Sequence, residues 1–190
     1  IDNILGVLNS SSLLIVMTFG MTMVMAVRGI DLSIAQVADA AGVVAAMLIL
    51  SGKNFIVAIL GAMLFGLLVG IINAVLIYLG VPAIIGTLGM MFIVRSVELT
   101  LTDGAQPQIL FTLPTERVKN FFFIGQESVG PISILILLTI LIIVAMYFAK
   151  ERSTFGRHMD ALCGNVRASL LAGINVRKVF AATFIISSLL

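Results

Sequence analysis

Residues 55–79 read FIVAILGAMLFGLLVGIINAVLIYL, 25 positions without a charge and with one amide, Asn73. As an α-helix the run is about 37 Å long at 1.5 Å per residue, enough to cross a hydrocarbon layer of about 30 Å. Its apolar residues do not alternate, and only helices or closed barrels satisfy their backbone inside lipid, so the stretch is a membrane-spanning helix. The composition around it agrees. Of 190 residues, 61% are hydrophobic and 11% charged, whereas a soluble domain is about 25% charged. A soluble protein of this size could not hide so much apolar surface, so the fold class is all-α, a polytopic helical membrane protein.

Working outward from 55–79, five further apolar segments emerge. Segment 9–27 opens on a polar, cap-like NSSS, and RGIDLS (28–33) separates it from segment 34–50. SGKN (51–54) makes a turn, GVP (80–82) breaks the long helix, and Pro82 suits the first turn of segment 83–101. A polar loop covers 102–131, a fifth segment 132–149, and a sixth begins at 179 and ends with the chain at 190. That last piece is shorter than the roughly 20 residues a span requires. The first residue is Ile1. The chain is therefore expected to be one transmembrane domain over 1–190, truncated at both ends. Gly20, Gly42, Gly61, Gly66, Gly70 and Gly86 mark places for close helix approach, and Asn73 reads as interhelix glue.

Lys150, Arg152, Arg157, Arg167, Arg177 and Lys178 crowd into 150–178 against Glu151 and Asp160 alone. Loop 102–131 carries Arg117 and Lys119 against Asp103, Glu116 and Glu127. The positive-inside rule then puts 150–178 in the cytoplasm and 102–131 outside, with RGIDLS and GVP at cytoplasmic ends. The basic island reads as two short helices. Ser153 or Thr154 caps the first and Gly164 ends it; Asn165 caps the second, and Gly173 supplies a left-handed stop. Both are too short to stand alone in water, so they must pack on something. The island is either a positive-inside loop resting on its own bundle or a rigid docking element for a cytoplasmic partner.

Chemistry is weakly signalled. One cysteine excludes a disulfide framework and a cysteine-based metal site, and neither a Walker A glycine loop nor HExxH occurs. Ten methionines fill gaps in the core. Ionisable groups inside the bilayer need a reason. Asp31 and Ser33 cap a helix or line a path, and Arg28 reads as a basic anchor at the cytoplasmic interface. Gln36 with Asp39, and Arg95 with Glu98, share helix faces at i, i+3 spacing. Gln36 with Asp39 is either an interhelix contact or part of a solute path, and Arg95 with Glu98 is either a local ion pair or a pore-mouth group that bonds solute hydroxyls. Trp is absent and Tyr scarce, which argues against a stacking sugar site of high affinity.

Three blocks carry a resemblance. TFGRHMDALCGNVRASLLAGINV (154–176) is similar to the cytoplasmic loop of permease subunits of sugar-type ABC importers, the ribose, galactose and xylose transporter family, through Thr154, Gly156, Arg157, Ala161, Gly164, Asn165, Ala168 and Gly173-Ile174. GMTMVMAVRGIDLSIAQVADAAGVVAA and VPAIIGTLGMMFIVRSVELTLTDG resemble two further blocks of that family, in the family's order. Arg28 stands where the family has the first glycine of its GGIDLS, and Ala35, Gln36, Asp39 and Glu98 also depart from it.

The resemblance implies a non-catalytic permease subunit, multi-pass in a bacterial inner membrane, importing a monosaccharide or related small polar solute. It implies an ABC ATPase subunit that holds the ATP, an external or periplasmic solute-binding protein and a second permease subunit, within a lipid bilayer and without nucleic acid. This chain would itself bind no cofactor and no metal. Thr154, Gly156, Arg157, Gly164, Asn165, Arg167, Ala168, Gly173 and Ile174 would then couple to the ATPase, and Asp31, Ser33, Gln36, Asp39, Thr87 and Arg95 would lie on the translocation path. A secondary transporter or channel fragment, coupled through Asp39 and Arg95 without an ATPase, is the rival reading. An intramembrane enzyme fits less well, since the chain has no GxSG and a single His.

Overall fold

The computed structural model describes residues 2–104 and 132–190, together with 119, 123 and 128–129. Most of the polar loop expected over 102–131 therefore lies outside the described residues. The elements in chain order are α1 (Asp2–Ala26), α2 (Ile34–Leu50), α3 (Phe55–Tyr78), α4 (Ala83–Leu101), β1 (Ser128–Val129), β2 (Ile132–Ser133), α5 (Ile134–Arg152), α6 (Thr154–Gly164), α7 (Val166–Leu171) and α8 (Val176–Leu189). The two strands form a minimal antiparallel ladder, Val129 opposite Ile132, that leads into α5. Helices α1, α3, α4 and α5 are long and apolar enough to cross a membrane.

Three helices differ from the sequence reading at their boundaries, among them α8, which starts at Val176 and not at 179. Helix α1 starts at Asp2, not at 9, and runs straight through NSSS. The Ser10 and Ser12 hydroxyls donate to the Gly6 and Leu8 carbonyls at 3.0 and 2.8 Å, so these serines satisfy themselves within the helix instead of capping it. Helix α5 starts at Ile134, capped by the Ser133 hydroxyl, and continues through Lys150 to Arg152.

The bundle is oily outside and small or polar inside. On α3, Leu60, Leu64 and Leu68 are exposed while Gly66, Gly70 and Asn73 are buried. Lipid offers no hydrophobic drive for helices to associate, so small residues that admit close backbone contact define the seams. The main seam joins α3 to α8: a Cβ added at Gly66 would lie 2.6 Å from the Ser188 carbonyl oxygen, and one at Gly70 would lie 2.9 Å from the Ser188 Cβ. Gly20 brings α1 against Ser187 from the other side, so α8 is clasped between α1 and α3. Gly61 seats against Leu48 of α2, whereas Gly42 faces open space and Gly86 makes only ordinary contacts.

The island is part of this bundle. Met159 and Leu162 of α6 are fully buried in one cluster with Met23 and Val27 at the end of α1 and Val179 at the start of α8. Arg177 stacks over the Tyr78 ring at the end of α3, 5.7 Å from its centroid. These contacts bring the α1–α2 connection, the GVP turn and the island to one end of the bundle.

Candidate functional site

The island is built from its caps inward. The Ser153 hydroxyl accepts from the Gly156 amide at 3.0 Å to start α6, and the Asn165 side chain accepts from the Ala168 amide at 3.1 Å to start α7. Thr154 is the exposed first residue of α6, and Gly164 is its last. Gly156 lies against the Lys150 backbone so closely that an added Cβ would overlap the Lys150 carbonyl. Helices α5 and α6 therefore meet at a tight corner, braced by a 3.4 Å ion pair between Lys150 and Asp160. Gly173 takes φ +81°; its amide donates to the Leu170 carbonyl and the Ile174 amide to the Ser169 carbonyl, both at 3.0 Å. That double bond is the Schellman stop, which asks for a left-handed residue. Ile174 packs into the α1–α6–α8 cluster just beyond it. Arg157, Arg167 and Ala168 are exposed, and Leu171 is 91% exposed. Helix α7 thus has a fixed base and a bare apolar tip.

A second group gathers where α2 begins. Residues 27–33 do not simply turn at a surface: Asp31 and Ser33 are buried, and Asp31 Oδ1 accepts from both the Ser33 amide (2.9 Å) and the Ser33 hydroxyl (2.6 Å). Ser33 occupies the cap position of α2 without donating or accepting a side-chain cap bond there. Its hydroxyl instead accepts from Asn73 of α3 at 3.0 Å. Thr87, buried one turn into α4, accepts from the Leu32 amide at 3.1 Å and donates to the Ala83 carbonyl at 2.8 Å. Asp31 Oδ2 and Asn73 Oδ1 have no hydrogen-bond partner among the described residues.

A third group continues along α4. Glu98, some 16 Å beyond Thr87 at 1.5 Å per residue, is buried and accepts from Gln36 of α2 and from Arg95 at 3.0 and 3.1 Å. Asp39 lies 3.7 Å from the same guanidinium, and the Asp39 and Arg95 side chains are 60% and 48% exposed. The structure therefore merges the two i, i+3 pairs into one cross-helix cluster, with Glu98 shielded at its centre and Asp39 and Arg95 facing out.

The sequence reading weighs Glu98, with Arg95, as an ion pair or a pore-mouth group and takes Asn73 as interhelix glue. The i, i+3 spacing pointed to Arg95 with Glu98, but no local signal reveals that Gln36 reaches Glu98 or that Asn73 reaches Ser33. Arg28 is the other surprise. It has φ +63°, and its Nη2 donates to the Cys163 and Gly164 carbonyls at 3.2 and 3.3 Å. It grips the end of α6 as well as sitting at the bundle end. His158 and Cys163 are exposed on α6.

Known proteins similar to this chain are permease components. A family model described as branched-chain amino acid transport system / permease component matches residues 3–190. The ribose import permease protein RbsC of Haemophilus influenzae is 34% identical over 192 residues, covering 100% of this chain and 58% of that protein. The autoinducer 2 import system permease protein LsrC of Photorhabdus luminescens is 31% identical over 185 residues, 97% of this chain and 54% of that protein. The L-arabinose ABC transporter permease protein AraH of Azospirillum brasilense is 32% identical over 188 residues, 98% of this chain and 53% of that protein. The chain thus spans about half the length of the curated relatives it matches. No solved structure gives a significant match.

Proposed function

The chain belongs to the branched-chain amino acid transport system / permease component family, and from that premise we propose that it supplies the membrane path and the ATPase-docking face of an ATP-driven importer. The solute is a monosaccharide or a related small polar molecule, as the names of the ribose, arabinose and autoinducer 2 relatives suggest. The chain performs no chemistry. ATP is bound and hydrolysed on a separate ATPase subunit, an external or periplasmic solute-binding protein delivers the solute, and a second permease subunit completes the path in a bacterial inner membrane.

The observation that carries this reading is the build of the island. A floppy loop would absorb a push from a closing ATPase, whereas α7, fixed between the Asn165 cap and the Gly173 stop, hands it on. Gly156 and Ile174 seat the island on the bundle. Thr154, Arg157, Arg167, Ala168 and Leu171 form the face presented to the ATPase, with Gly164 at the joint between α6 and α7. Asp31, Ser33, Thr87, Gln36, Asp39 and Arg95 follow α4 from the island's end towards the other, and they offer carboxylates, hydroxyls and a guanidinium to the hydroxyls of a passing solute. Polar groups held at the interrupted end of a membrane helix are the usual way to house a polar solute within lipid.

The test is purification of the full-length protein from its native membranes, followed by ATPase assays in proteoliposomes. A bound ATPase whose turnover rises with the solute-loaded binding protein is the expected result. Uptake driven by an ion gradient with no associated ATPase would assign the chain to the secondary transporters and overturn the proposal.

A further inference from the structure

Four helices end on the same pair of backbone hydrogen bonds, one spanning three residues and the next spanning five. The closing residues are Arg28 after α1, Gly52 after α2, Gly80 after α3 and Gly173 after α7, with φ of +63°, +83°, +96° and +81°. Glycine takes this left-handed position without steric penalty, and three of the four are glycine. Arg28 bears a strain that a glycine there would remove, so its side chain must offset it.

What that side chain does is specific. Its guanidinium donates to the Cys163 and Gly164 carbonyls, which belong to the last turn of α6. Carbonyls there lack intrahelical partners and carry the negative end of the helix dipole, so a cation is favoured. On its other side Arg28 is joined through the backbone to a segment held at almost every residue. Gly29 is packed so near the Phe184 ring that an added Cβ would lie 3.1 Å from it. The Ile30 carbonyl and Leu32 amide both bond to Thr87, Asp31 holds Ser33, and Ser33 holds Asn73. Among the described residues Arg28 makes the only side-chain polar link between the island and this segment.

We infer that Arg28 is a positioning residue for energy coupling, tying the end of α6 to the start of α2 so that displacement of the island moves the Asp31–Ser33–Thr87 group. This inference rests on the importer reading above and concerns how the island's movement reaches the path. An interfacial anchor would need only the positive charge. A tie needs a side chain that reaches α6.

Arg28→Gly and Arg28→Asn both tolerate the left-handed backbone and cannot reach the α6 carbonyls; Arg28→Lys keeps the charge and most of the reach. Each is compared with the parent in the full-length, ATPase-bound complex in proteoliposomes, with solute imported per ATP as the readout. The expected result is normal abundance and basal ATP hydrolysis for all variants. The import-to-ATP ratio should fall at least about fivefold in the Gly and Asn variants, the lower end of usual coupling effects, and Lys should recover most of it. Unchanged ratios in the Gly and Asn variants would overturn the inference. So would a loss of abundance in those two that Lys cures, since that outcome marks a topological anchor. A parent complex that binds no ATPase would overturn the importer reading itself, and this inference with it.

Discussion

At position 156 a methyl group would have nowhere to go: it would land on the carbonyl of Lys150, at the corner where α5 turns into α6. Gly164, in the same motif, has open space around it and an ordinary helical backbone. The two glycines should therefore answer oppositely to the same change. Gly156→Ala is expected to destabilise the protein by roughly 1–3 kcal/mol or more through overpacking. Gly164→Ala should be neutral or stabilising by about 0.4–1 kcal/mol, because it only restricts the unfolded chain. Thermal unfolding of the detergent-purified variants separates them. The cluster between α2 and α4 divides in a similar way. Glu98 is buried with Gln36 and Arg95 on it, so Glu98→Leu leaves a guanidinium and an amide without their partner and should lower both abundance and transport. Asp39 faces outward, with the Arg95 guanidinium 3.7 Å away, so Asp39→Leu should spare abundance and reduce uptake. Immunoblots of membranes alongside uptake assays give both readouts. None of this contrast between 39 and 98 is legible in the sequence, where both are single acids in apolar helices.

Helix ends were the most legible elements. Asn165 and Gly173 sit where a polar cap and a left-handed stop belong, and each does that job. The start of α1 was not legible, because NSSS resembles a cap. In a helix shielded from water nothing competes with the i−4 carbonyls for the serine hydroxyls, so the helix runs on. The burial of segment 28–33 was not legible either, because it depends on Thr87 and Asn73, which arrive from other helices. Helix α7 gives the sharpest test at this scale. Gly173→Val forces a β-branched residue to φ +81° and should fray α7, whereas Leu171→Asp changes only a side chain that is 91% exposed. Both variants should insert normally and lose uptake. Leu171→Asp should keep the parent's thermal stability while losing the co-purifying ATPase, and Gly173→Val should lose some of each.

For the molecule as a whole, composition made the fold class readable, since it depends on a sum over many residues, and the positive-inside rule predicts an orientation in the same way. Orientation is checked with Cys163, the only thiol in the sequence and exposed on α6. With any cysteines elsewhere in the full-length protein removed, an impermeant maleimide should label it in inside-out vesicles and not in intact cells, and the reverse pattern would invert the topology. Which helices touch was not readable: six glycines were plausible contact points, and only the folded chain tells Gly66 and Gly70, pressed on Ser188, from Gly42, which meets nothing. That seam has a consequence for biogenesis. Helix α3 leaves the ribosome before α8, its principal neighbour, which follows only after α4, residues 102–133, α5 and the island. At about 5–20 residues per second, α3 waits on the order of ten seconds with its glycine strip uncovered. During that interval the insertion machinery, or α2 alone, must keep the strip from pairing with the wrong helix, so the α3–α8 seam is secured well after the α2–α3 contact.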